Sequence, residues 1–123
     1  KYSNIIDELS LFFDKRINRA VKAGINEKQI IIDPGIGFGK TIRDNDEIIR
    51  NLSKIKILGL PILIGLSRKS FLSFNHNEPT DRLASSIAFG SIAINNGADI
   101  IRTHDISKSI EVFSLIDRLL RKN

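Results

Sequence analysis

Three short apolar runs, Ile30-Ile31-Ile32, Ile62-Leu63-Ile64 and Ile100-Ile101, alternate with four longer segments of helical spacing. That alternation constrains the fold more than any other feature. Strands separated by helices imply right-handed crossovers and a parallel sheet. Runs that are apolar throughout predict strands buried on both faces.

The first helix is expected over residues 3–23. Ile5, Ile6, Leu9, Phe12, Phe13, Ile17, Ala20 and Val21 share one helical face, with Ser3 as N-cap and Gly24 as stop. A strand over 29–33 follows, then a Gly-rich loop to Thr41. The second helix is expected over 44–58, with Asp44 and Glu47 at capping-box spacing and Gly59 as its end. The second strand is expected over 61–65. A polar loop leads to a third helix over 80–96, ended by Gly97. The third strand is expected over 99–102. The last helix, about 107–122, carries Ile110, Phe113, Ile116 and Leu120 on one face.

Three strands make a poor closed unit, because two sheet edges would stand open. A (β/α)8 barrel takes about 250 residues, so this chain is a little under half of one. The fold expected is α/β, a partial TIM (β/α)8 barrel: the last three βα units with a preceding helix. A flavodoxin-like sheet is the alternative, and it too would need more strands. The 123 residues contain no Met, even at position 1. They read as a fragment, the C-terminal portion of a single domain, expected to be inactive alone.

Composition excludes several classes. There is no Cys, which removes disulfides and thiolate metal sites, and the two His lack metal-ligand spacing. No stretch suits a membrane span and no signal peptide opens the chain, so cytoplasm is the default expectation. The net charge is +5, but the 19 basic residues are scattered among 14 acids, and one Tyr with seven Phe offers little stacking surface. Nucleic acid is therefore not the expected partner. A moderate basic excess suits anionic substrates.

The unusual polar residues all cluster at strand ends, in Asp33-Pro34-Gly35-Ile36-Gly37-Phe38-Gly39-Lys40, in Ser67-Arg68-Lys69-Ser70 and in Arg102-Thr103-His104-Asp105. In α/β folds that end carries the binding face. Gly39-Lys40-Thr41 looks like the end of a Walker A loop, but Pro34 stands where the motif needs Gly. The evenly spaced Gly35, Gly37 and Gly39 fail the dinucleotide pattern as well. They suit close approach of the backbone to a flat ligand. A carboxylate at Asp33 needs donors and could accept paired N–H groups from a heterocycle or cap its own loop. Arg102 has the planar fork for phosphate or ring stacking. His76, in Phe74-Asn75-His76-Asn77, reads as an exposed loop residue.

In this order and at these separations, D-P-G-x-G-F-G-K, S-R-K-S and R-x-H-D closely resemble the dihydropteroate synthase family. So does Asp81-Arg82-Leu83-Ala84-Ser85-Ser86 leading into Asn96-Gly97-Ala98-Asp99. The resemblance covers essentially the whole chain. It implies condensation of 6-hydroxymethyl-7,8-dihydropterin pyrophosphate with p-aminobenzoate, giving 7,8-dihydropteroate and pyrophosphate. It further implies that Asp33 binds the aminopyrimidine edge of the pterin, with Gly35 and Gly37 in the binding loop. Lys69 hydrogen-bonds the pterin, Arg102 stacks on it, and Arg102 and His104 lie by the pyrophosphate. Ser67 and Phe38 line the p-aminobenzoate side, where sulfonamides compete. Ile36 stands where many members have Phe, which would alter the second-substrate wall. Lys40 belongs to the motif without an assigned role. The resemblance also implies Mg2+, with ligands outside this fragment, and a homodimer. Alternatives are a methyltetrahydrofolate-dependent methyltransferase, disfavoured by S-R-K and R-x-H-D, and a catalytically silent pterin-binding paralogue. In the third helix, Phe89 and Ala93 are expected on a second apolar face, covered by neighbouring helices or by a dimer partner.

Overall fold

The computed structural model describes residues 4–66 and 83–120. Helix α1 spans Ile5–Lys22 and is capped by Asn4, whose side chain accepts the Asp7 N–H at 3.2 Å. Gly24, at φ 102°, ends the turn in a backbone conformation that suits glycine. The expected strand over 29–33 shrinks to one parallel bridge between Ile32 and Ile62. Asn26 caps a 3-10 turn at Glu27–Gln29 and so removes the first residue of the run from the strand.

The second helix also differs from expectation. It begins earlier, as α2, Ile42–Arg50, and its capping box joins Thr41 and Asp44 rather than Asp44 and Glu47. It breaks at Asn51, whose side-chain amide donates to the Glu47 carbonyl at 2.8 Å. A short helix α3, Leu52–Ile55, and a 3-10 turn, Lys56–Leu58, follow. Strand β1 is Leu63–Gly65, α4 is Leu83–Asn95, β2 is Ile100–Arg102 and α5 is Ile106–Leu120. β1 and β2 pair in parallel, Leu63 with Ile100 and Gly65 with Arg102. The strand order is therefore Ile32, β1, β2, which is also chain order.

One continuous core lies between the sheet and its helices. It contains Ile5, Ile6 and Phe13 of α1, Ile48 and Ile49 of α2, Ile62 and Ile64 around β1, and Ala93 of α4. Helix packs on helix in sequence: α1 on α2, α2 on α4, α4 on α5. Alternation along the strands separates two faces. Ile32, Ile62, Ile64 and Ile101 face this core. Ile31 and Ile100 fall on the other face and are 52% and 36% exposed. The expected burial on both faces thus fails among the described residues, because helices cover one face alone. Asp33, Gly65 and Arg102 share the uncovered face by the same alternation.

Packing details correct three further expectations. Phe12 and Val21 of α1 are exposed, although the predicted stripe included both. Ile110 and Leu120 of α5 are exposed as well, whereas Ser109 is buried and Phe113 half-buried. In α4, Ala93 is fully buried and Phe89 packs on the core, so neither forms a second outer face. Ala84, Ala88 and Ile92 form the exposed stripe instead. Both edges of the sheet are flanked by grooves. Phe12, Phe13, Ile17 and Ile31 line one of about 500 Å³. Ile101, Thr103, Ile110 and Phe113 line another of about 550 Å³.

Candidate active site

The loop after Ile32 is built by its own side chains. Asp33 turns back and its Oδ1 accepts the Gly35 N–H at 2.9 Å. Gly35 sits at φ 71°, a region that side chains with a Cβ rarely adopt. The Phe38 N–H donates to the Gly35 carbonyl at 3.1 Å, closing a turn. Lys40 folds over this turn, and its Nζ donates to the carbonyls of Gly35 at 3.0 Å and Phe38 at 3.1 Å. From below, Asn45 of α2 accepts the Gly37 N–H on its Oδ1 at 2.9 Å. Ile36 is 2% exposed and joins the core, so it anchors the loop and does not reach a substrate wall. Phe38 is 67% exposed above it. The amides of Gly35 and Gly37 are thus occupied by protein acceptors, and the loop does not present them to a phosphate.

Asp33 follows the Ile32 bridge on one side of β1, and Arg102 ends β2 on the other. The two flanking backbones lie about 10 Å apart, twice the interstrand spacing. Their side chains nevertheless approach to 3.7 Å, from Arg102 Nη1 to Asp33 Oδ2. This distance is too long for a hydrogen bond. Both side chains are more than one-third exposed, so solvent screens the pair and its net stabilisation is below about 1 kcal/mol. A ligand can therefore exchange with either partner at small cost. His104 follows two residues beyond Arg102, exposed, at the turn into α5. Thr103 holds that turn: its Oγ1 accepts the Asp105 N–H at 3.0 Å and lies 3.2 Å from Ser109 Oγ.

The strand ends bring together Asp33 and Arg102 of the expected site; Gly35, Gly37 and Phe38 lie in the loop that follows Asp33, and His104 lies two residues beyond Arg102. Ser67 and Lys69, also expected there, lie outside the described residues, as do Arg68, Ser70 and His76. Three further residues build the site without having been singled out for it. Lys40 had a motif position but no role, Asn45 looked like an ordinary helix residue, and Gly65 looked like the end of a strand. Beside Asp33 a cavity of about 320 Å³ opens towards α1, lined by Glu8, Leu9, Phe12, Pro34 and Lys40 among others. Among the described residues, no group of three or more His, Cys, Asp or Glu could hold a metal ion. No described helix is long and apolar enough to cross a membrane. One carboxylate beside a guanidinium suits a ligand with a donor edge and an anionic end.

Comparison with known proteins gives the family. Residues 1–104 match the family model described as pterin binding enzyme. A dihydropteroate synthase from Escherichia coli strain K12 is 36% identical over 121 residues, covering 98% of this chain and 43% of the relative. The Xanthomonas albilineans dihydropteroate synthase, solved with 7,8-dihydropteroate, superposes with a TM-score of 0.95 at 32% identity. That match covers 100% of this chain and 48% of the neighbour. The same enzyme solved with 4-aminobenzoic acid gives a TM-score of 0.94 at 32% identity, covering 100% of this chain and 46% of the neighbour. The chain thus spans less than half the length of these relatives.

Proposed function

This chain belongs to the pterin-binding enzyme family, and we propose that it is the C-terminal portion of a dihydropteroate synthase barrel. The single observation that carries the reading is the convergence of Asp33 and Arg102 at 3.7 Å across the open face of the sheet. One donor-hungry carboxylate and one forked cation there match a substrate with an aminopyrimidine at one end and a pyrophosphate at the other. The exposed Ile31 and Ile100 and the two edge grooves support completion of a barrel by further strands.

In this reading Asp33 keeps its bond from Gly35 and accepts the paired N–H groups of the pterin on its remaining lone pairs. Arg102 keeps its course across the middle strand, lies against the flat ring and, with His104, faces the pyrophosphate. As the resemblance implies, Lys69 hydrogen-bonds the pterin, and Ser67 and Phe38 lie beside p-aminobenzoate. The methylene–oxygen bond breaks and its electron pair leaves with pyrophosphate. Positive charge developing on the methylene is captured by the aromatic amine, which forms the new C–N bond and gives up a proton to solvent. The cationic groups stabilise the departing anion. Mg2+, held by ligands outside this chain, would further neutralise the pyrophosphate; the roles above are those of this chain's own residues. A homodimer is part of the proposal, with the exposed α4 stripe of Ala84, Ala88 and Ile92 as its contact.

The test supplies the complete protein carrying this chain with dihydropterin pyrophosphate and p-aminobenzoate, and follows 7,8-dihydropteroate and pyrophosphate. Both products are expected in equal amounts. Pterin binding without product would identify a silent paralogue, and methyl transfer from methyltetrahydrofolate would identify the methyltransferase. Failure to bind any pterin would overturn the whole reading.

A further inference from the structure

Arg102 reaches Asp33 by passing over the middle strand, and the residue it passes over is Gly65. The two are register partners in the parallel pair. A methyl group at position 65 would lie 2.8 Å from Arg102 Cζ and 3.0 Å from its Nε, with Nη2 nearer still. Carbon contacts are favourable only at about 3.5–4.0 Å, so a side chain there and the guanidinium cannot share the space. Gly65 is buried in a regular strand and does not have the positive φ of the turn glycines. Its backbone therefore gives no reason for glycine; the crossing side chain does.

We propose that Gly65 is a positioning residue for Arg102: its missing Cβ is the floor on which the guanidinium crosses β1 to reach Asp33 and the ligand. A larger residue at 65 lifts Arg102 off the strand end and separates it from Asp33. The carboxylate stays in place, held by Gly35, so recognition of a donor edge survives while the contacts of Arg102 with the ring and the anionic end fail.

The role in ligand binding rests on the synthase reading, whereas the placement of Arg102 does not. Two readouts keep these apart. A ligand-free crystal structure of the complete protein with Gly65→Ala should show Arg102 displaced from Asp33. Calorimetry should show dihydropterin pyrophosphate bound about tenfold more weakly or worse, as expected for a lost charge-assisted contact. A pterin without the pyrophosphate should lose less, because it forfeits the ring contact of Arg102 but has no anionic contact to lose. In an Arg102→Ala background, Gly65→Ala should cost nothing further. If Gly65→Ala alone folds poorly, adding Arg102→Ala should restore the melting temperature to that of Arg102→Ala. An unmoved Arg102 in the Gly65→Ala structure would overturn the proposal. So would an equal loss of affinity in both backgrounds, or a double variant as unstable as Gly65→Ala. If Arg102 moves but neither variant nor parent binds pterin, the placement stands and the synthase reading falls.

Discussion

Asn45 and Gly37 are joined by an N–H···O bond of 2.9 Å, with the Asn45 side chain 1% exposed beneath the loop. This bond ties the middle of the Gly-rich loop to α2, whose capping box already holds the loop's end at Thr41. Asn45→Ala leaves the Gly37 N–H without its acceptor in a partly buried position. The expected cost is about 1–3 kcal/mol of stability, read from denaturant unfolding. A variant as stable as the parent would mean that the loop is held from elsewhere.

Lys40 acts on the same loop from above, through the carbonyls of Gly35 and Phe38. Lys40→Met keeps the apolar stem and removes both donors. Stability should change little, because those carbonyls lie near solvent. Pterin affinity should fall by about tenfold, since the turn that aims Asp33 is loosened. If Lys40→Met destabilises the protein strongly and binds pterin normally, the clamp serves folding and not the site.

At the site itself, Asp33→Asn should weaken pterin binding by roughly ten- to a hundredfold, the cost of a charge-assisted pair. Arg102→Lys should also be damaging, because Lys lacks the planar fork. Calorimetry that found normal affinity in both variants would remove these residues from the site.

Asp99 supplies a control far from these strand ends. Its Oδ2 accepts the Ile62 N–H at 2.9 Å and pairs with Lys56, joining the starts of the middle and last strands. Asp99→Ala should cost about 1.5–3 kcal/mol of stability, as for a hydrogen bond to a charged group. Pterin affinity of the folded fraction should hold. A selective loss of binding would argue that the strand starts communicate with the site.

The α4 stripe gives the last expectation. Ile92 is 54% exposed beside Ala84 and Ala88. Ile92→Glu should shift the complete protein towards monomer in light scattering while its circular dichroism is kept. An intact dimer in a folded Ile92→Glu variant would exclude this face. Phe89, which packs inward, is no test of assembly.

The alternation of helix and strand was legible from residues near one another in the chain, because periodicity and capping are local. So were the positions of Asp33 and Arg102, since each follows directly on an apolar run, with His104 two residues beyond Arg102. The placement of Thr41 and Asn51 shows the limit of local reading. Side-chain bonds to the backbone moved one helix start and broke one helix, and several residues could have made them. Sequence pattern also could not orient α4. It is apolar nearly all round, so no stripe distinguishes the inward Phe89 and Ala93 from the outward Ile92. Lys40, Asn45 and Gly65 stayed silent because their roles are relations to partners fixed only by packing. A lysine can fold onto a turn or point to solvent. An asparagine in a helix has no meaning until a loop amide arrives above it. A strand glycine becomes necessary only when a side chain from the next strand must lie across it. Residue types and their order along the chain thus determined the elements and the chemistry available at the strand ends. The pairing of β1 with β2 and with the Ile32 bridge, and the covering of one sheet face, decided which of those groups meet, because these contacts join positions far apart in the chain.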